Sequence, residues 1–308
     1  MSRGIPDPGA FLRVAGRILA YFALWIVLAI VLGAVIYQLP GQAAIQGFHF
    51  AISSLLGGLA ANWICMRAFE DAGLREIGLA WSGRNFVVGL AAGISAALLV
   101  TVVPVVLGLA EWRRSAAPSG SLAGVSILLA MYLAAAANEE IGVRGYLFQR
   151  LMRAAGLVPA AALTAMLFAA GHLGNPNASR LGMVNTFIAG FALACAMRAS
   201  GDLWFPIGIH YSWNTWLTLC GANVSGFTNR LSDYEMVWKA GPLWSGGGYG
   251  PEGGLLTTFA FLLWLLWAWK GPLRRRRPWL LTAGARDASG PTHPLGLVSS
   301  NPPRESSR

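Results

Sequence analysis

The chain has 308 residues, 55% of them hydrophobic and only 12% charged, with a formal net charge of +10 and a mean hydropathy of +0.53. A soluble globular domain carries about twice that charged fraction, so a water-soluble enzyme is excluded. The arginines sit at the ends of apolar runs, where lipid headgroups and the positive-inside bias account for them, so nucleic acid is not an expected partner and the bilayer is.

Runs of about 20 apolar residues, long enough to cross a bilayer, recur along the chain. They predict eight spans, over 18–37, 44–66, 86–109, 122–140, 158–174, 181–199, 203–221 and 255–270. The first, 18-ILAYFALWIVLAIVLGAVIY-37, is longer than the apolar core of a secretory signal, and no small-residue cleavage site follows it. It is read as a retained anchor. The expected fold class is all-α, a polytopic transmembrane helical bundle over 1–270 with a polar cavity between its helices. From 271 to 308 the chain opens with GPLRRRRP and turns rich in Ser, Pro and Gly, a composition that disfavours a packed core. Cys65, Cys195 and Cys220 lie in or beside apolar runs with no CxxC spacing, as buried and unreactive thiols would.

Orientation follows from the loops. Arg3, Arg13 and Arg17, then Arg67, Arg75 and Arg84, then Arg144, Arg150 and Arg153, then Arg198, and finally Lys270 with Arg274 to Arg277 fall on one side. The other side has Arg113, Arg114, Arg180, Arg230 and Lys239. Both termini are therefore expected in the cytoplasm of a multi-pass protein of a bacterial plasma membrane.

Within the spans, polar residues occur in pairs four apart: Glu140 with Arg144 (and Glu139 beside it), Phe168 with His172, and His210 with Asn214. That spacing sets both members on one helix face. Taking Gly156 as the turn between the fourth and fifth spans, Glu139 and His172 fall at nearly the same height, Glu139 about 25 Å along its helix. Asn214 lies roughly 20 Å beyond the next turn, near Gly201, and His210 about one helical turn nearer to it. Four polar groups from three helices are thus expected to converge. If the site faces the cytoplasm, 145-GYLFQRLMR-153 must lie along the interface, and its apolar Tyr146, Leu147 and Leu151 against Gln149, Arg150 and Arg153 allow that.

Glutamate, histidine and asparagine together suit hydrolysis of a carbonyl. A carboxylate beside a like charge and away from bulk water is a stronger base than one in solution, and can take a proton from attacking water. Imidazole and amide groups can hold the oxyanion. The same side chains are also metal ligands, and Glu139, His172 and His210 would be the set for zinc. No metal or other cofactor is expected, with zinc as the alternative.

In this order, 139-EEIGVRG-145, 168-FAAGH-172 and 203-LWFPIGIHYSWN-214 resemble the motifs of the CPBP family (CAAX protease and bacteriocin-processing, Rce1-like or ABI) of intramembrane endopeptidases. The resemblance covers about residues 124–221, with a weaker trace in 241-GPLWSGGGYGPEGG-254. It implies peptide-bond hydrolysis in a membrane-associated peptide or protein substrate. It implies Glu139 as the water-activating glutamate, Glu140 as its supporting neighbour and Arg144 as the close of that motif. His172 matches the second-motif histidine, and His210 and Asn214 the pair assigned to water and oxyanion. The prenyl-protease branch of the family implies a glutamate-type hydrolase without metal, although the family was once described as metal-dependent. Some members implied by the resemblance are linked to bacteriocin immunity, so a non-enzymatic immunity or scaffold protein is one alternative reading.

Intramembrane carboxylates and histidines also line ion and proton pathways, a second alternative, although no pair of interrupted half-helices is visible. Other intramembrane proteases fit poorly. HExxH is missing, 223-NVSG-226 is the nearest approach to GxSG, and 199-ASGD-202 the nearest to GxGD.

Overall fold

A computed structural model describes residues 8–38, 46–116 and 120–276. Its helices are α1 (Pro8–Tyr37), α2 (Gln46–Glu70), α3 (Gly83–Val106), α4 (Leu122–Arg144), α5 (Tyr146–Ala155), α6 (Leu157–Gly171), α7 (Arg180–Ser200), α8 (Trp204–Leu219), the single turn α9 (Pro242–Ser245) and α10 (Leu255–Lys270). Each of the eight expected spans falls on one of these helices. Five stretches are long and apolar enough to cross a membrane: Leu12–Tyr37, His49–Glu70, Gly83–Val106, Leu122–Ala155 and Arg180–Ser200. Helices α6 and α10 are apolar but shorter, and α8 has 16 residues. The fold is mostly helical, as expected, and five helices among the described residues are long and apolar enough to cross a membrane. The basic and Ser/Pro-rich tail beyond residue 276, including Arg277, lies outside the described residues, as does Arg3.

The all-α expectation needs one amendment. Strands β1 (Ala110–Arg114) and β2 (Tyr234–Trp238) pair antiparallel, Ala110 opposite Trp238 and Arg114 opposite Tyr234. These five-residue pieces sit in connections outside the long helices. Glu111 binds Lys239 at 2.6 Å and also pairs with Arg113. Both cations hold its carboxyl below the usual glutamate range, with the Lys239 contact the larger cause.

Small residues set the closest helix contacts, as they do where lipid offers no hydrophobic drive between helices. Gly89 and Gly93 of α3 leave no room for a Cβ against the α8 backbone at Phe205, Gly208 and Ile209. With Asn85 bonded to Asp202 at one end and Trp216 bonded to Thr101 at the other, α3 and α8 run parallel. Helices α1 and α2 run antiparallel, with Trp25 bonded to the Ser54 carbonyl and Arg17 to Glu70. Asp202 starts α8 by accepting the backbone N–H groups of Trp204 and Phe205.

Two apolar clusters result. One joins α3, α7, α8 and α10 around Trp213, Phe261 and Trp264. The other joins α1, α2, α4, α5 and α6 around Tyr21, Tyr146 and Phe148. Helix α8 feeds both, with Ile209 and Trp213 in the first and Leu203 and Ile207 in the second. Its polar residues therefore sit at the seam between two dry cores.

The connection after the glutamates is broken at Gly145, where a Cβ would strike the Ile141 carbonyl and the Asn62 side chain. Asn62 of α2 accepts the Tyr146 N–H at 2.7 Å, which opens α5 as a separate helix. Gly156, at φ 86°, ends α5 and begins α6. The height argument assumed one unbroken helix from Glu139 to Gly156. That premise fails at Gly145, although the turn itself is where it was expected.

Candidate active site

Glu140 and Arg144 are fully buried, and their side chains pair at 3.3 Å one turn apart on α4. Arg144 also donates to the Gly190 carbonyl of α7 at 3.0 Å and lies 4.5 Å from the centre of the Phe168 ring. Both charges are thus met by specific partners from three helices, the arrangement that a charge far from water requires. The same Glu140 oxygen receives His210 Nδ1 at 3.0 Å.

Glu139, one residue earlier, points elsewhere. Its side chain is 32% exposed, and its Oε2 faces His172 Nε2 at 4.0 Å and His210 Nε2 at 3.9 Å. Both distances exceed a direct hydrogen bond, and that oxygen has no partner among the described residues. On its other side, His172 Nδ1 meets the Phe168 carbonyl at 2.8 Å.

These bonds fix the tautomers. A carbonyl only accepts, so His172 Nδ1 carries the hydrogen; an ionised Glu140 only accepts, so His210 Nδ1 does too. In the neutral rings both Nε2 atoms are then lone pairs. Three acceptors, two nitrogens and one carboxylate oxygen, face the same small region. That arrangement favours a group able to donate there, which water or a protonated imidazole can do.

Asn214 lies one turn beyond His210. It lines a cavity of about 30 Å³ together with Phe168, His172, His210, Ser225 and Glu252, room for roughly two waters. Glu139, Glu140, His172 and His210 are therefore brought together with Arg144 behind them, and Asn214 opens on the same space as both histidines.

Metal binding was tested on this donor set. Each histidine has its Nδ1 anchored and its Nε2 turned inward, the arrangement typical of metal-bound imidazole. The spacing disagrees: ligands of a tetrahedral zinc site lie about 3.3 Å apart, closer than the 3.9–4.0 Å found here. Among the described residues no group of three His, Cys, Asp or Glu is spaced to hold a metal ion. As placed, these donors are spread more widely than around a bound zinc ion.

The three polar motifs do not include Glu252, which falls in the weaker glycine-rich trace over 241–254 and lines the same cavity. Its Oε1 accepts the Trp213 indole N–H at 2.9 Å, and its Oε2 accepts both the backbone N–H and the hydroxyl of Ser225. Its backbone carbonyl receives the Asn185 amide of α7 at 2.8 Å. Ser225 has φ 49°, a left-handed conformation rare for serine. Glu252 thus ties that strained residue to the α8 side chain between His210 and Asn214. The one signal was a lone acid in the glycine-rich stretch, in a chain with only 13 acidic residues.

Residues 121–216 match the family described as type II CAAX prenyl endopeptidase Rce1-like. This segment is Rce1-like. No curated protein matches the chain. The Rce1-like segment runs from the start of α4 through most of α8, so it holds Glu139, Glu140, Arg144, His172, His210 and Asn214, whereas Glu252 lies beyond it. The match supports a CAAX-type protease at the level of the family, and helices of membrane-crossing length accompany it among the described residues.

Proposed function

We propose that the chain is an intramembrane endopeptidase that hydrolyses peptide bonds with a water activated by Glu139. The observation that carries the reading is the meeting of Glu139 Oε2 with two inward-facing imidazole nitrogens at 3.9–4.0 Å, beside a second carboxylate already neutralised by Arg144. Because Arg144 and His210 occupy Glu140, Glu139 is left as the base.

In this reading, Glu139 takes a proton from water as its oxygen attacks the scissile carbonyl carbon. The carbonyl oxygen gains negative charge and is held by Asn214 and by a protonated imidazole. His210 suits that role, since Glu140 at its Nδ1 stabilises the imidazolium. The tetrahedral intermediate collapses, the C–N bond breaks, and the proton on Glu139 passes to the leaving nitrogen. His172, anchored by the Phe168 carbonyl, positions the water. The substrate is a membrane-associated peptide or protein, the bundle crosses the membrane up to eight times, and both termini lie in the cytoplasm.

The test is cleavage of a membrane-tethered peptide library by the purified chain and by Glu139→Ala. Loss of cleavage with retained folding is the expected result. Undiminished cleavage by the variant would refute the reading. Full biological activity in stable Glu139→Ala and His172→Ala variants would favour the immunity or scaffold alternative, and ion flux into liposomes the transporter.

A further inference from the structure

A second recess lies away from the catalytic cavity, on a different face of α7. Thr186, Ala189 and Leu193 of that helix line the cavity, whereas Cys195, Arg198 and Ala199 floor a groove walled by Leu157 of α6 and by Leu265, Ala268 and Trp269 of α10. The groove has a volume of about 680 Å³, within the roughly 300–1,000 Å³ of small-molecule sites. Its walls are apolar, and Trp269 is 70% exposed at its edge, as interfacial tryptophans are.

Among the described residues, the lip of the groove carries cations without matching anions. Arg275 donates to the carbonyls of Ala199, Ala268 and Trp269 at 3.0, 3.3 and 2.9 Å. These bonds hold its guanidinium across the ends of α7 and α10. They offset only part of its charge, through the partial negative charge of two helix C-termini. Arg198 is exposed and has no ion pair among the described residues. Arg276, by contrast, is committed to Asp202 at 3.7 Å and to the Trp81 carbonyl at 2.8 Å.

We propose that this groove binds an anionic phospholipid. The phosphodiester lies between Arg198 and Arg275, and an acyl chain runs along Leu157, Leu265 and Trp269. Two cations, Arg275 held by three carbonyls and Arg198 exposed beside it, at one end of an apolar trough between helices complement a lipid with a charged head and an apolar tail. Free phosphate would satisfy only the arginines. The site does not depend on the peptidase reading.

The test is native mass spectrometry of the full chain in detergent, titrated with phosphatidylglycerol or with phosphatidylcholine of the same acyl chains. Retention of phosphatidylglycerol alone is expected. Arg198→Gln should weaken it about fivefold, and Leu265→Trp, which fills the trough without touching the charge, should weaken it as well. Arg114→Gln, on β1, should leave it unchanged. Equal retention of both lipids, or equal binding by Arg198→Gln and Arg114→Gln, would overturn the proposal. So would displacement by millimolar inorganic phosphate with Leu265→Trp unaffected, which would mark a bare anion site.

Discussion

The buried pair behind the site is the most exacting test of its dryness. Glu140 and Arg144 are both 0% exposed and 3.3 Å apart, and each has further partners in the His210 ring and the Gly190 carbonyl. Glu140→Gln leaves a guanidinium with neutral acceptors and the Phe168 ring but no counter-charge in contact, and Arg144→Met leaves a carboxylate with only one imidazole. Removing one member of a buried pair costs about 3–5 kcal/mol, because the other charge stays unpaired away from water. Removing both deletes the stranded charge, so the double variant should cost about as much as either single one, which makes the coupling as large as a single loss, about 3–5 kcal/mol. Unfolding in mixed micelles titrated with a denaturing detergent, followed by circular dichroism, reads these differences. Single losses below about 1 kcal/mol, or costs that simply add, would mean that water reaches the pair and that the dry-site argument is wrong.

Three further outcomes are expected. Peptidase activity should survive strong chelators, since the donor spacing is wider than a zinc site; loss on chelation with rescue by zinc would restore the metallopeptidase account. Glu252→Ala strands the Trp213 indole and both Ser225 donors and should cost about 2–4 kcal/mol in the same micelle assay, whereas Glu252→Gln, which keeps one acceptor oxygen, should cost less; equal losses would argue against the hydrogen-bond account. The lowered carboxyl of Glu111 tightens the β1–β2 pair above the ordinary glutamate range, and that contribution disappears as pH falls through the depressed value. Strand amides should therefore lose hydrogen-exchange protection, beyond the intrinsic rate change, as pH falls below the ordinary glutamate range, and Glu111→Gln should show the weaker protection at neutral and acid pH alike.

The long helices and the three polar pairs were legible because both signals are local: apolar runs of membrane length, and partners four apart on one face. What escaped depends on distant chain. The break at Gly145 is made by Asn62, 84 residues from the Tyr146 N–H it accepts. The strands are five residues long and come from connections more than 100 positions apart, joined by pairs such as Glu111 opposite Val237, so neither shows a pattern of its own. Glu252 belongs to no spacing motif and enters the site only because a glycine-rich strap folds back over α8. Apolar runs alone do not separate the five membrane-length helices from the shorter α6 and α10, nor from α8, which carries its polar residues at a seam between two cores. Convergence on Glu139 was anticipated from helix heights, and the structure reaches it with a broken helix in place of the straight one assumed.

The central claim is that Glu139 makes water the nucleophile. Single-turnover cleavage of a membrane-tethered substrate in ¹⁸O-labelled water, by the wild-type chain and by Glu139→Gln, tests it most directly. The account predicts one labelled oxygen in the new carboxyl group in the first wild-type turnover, and a rate at least about 10²-fold lower in the variant, which should still retain the substrate. An unlabelled first product with the label appearing in Glu139, or a variant that cleaves at the wild-type rate, would contradict it.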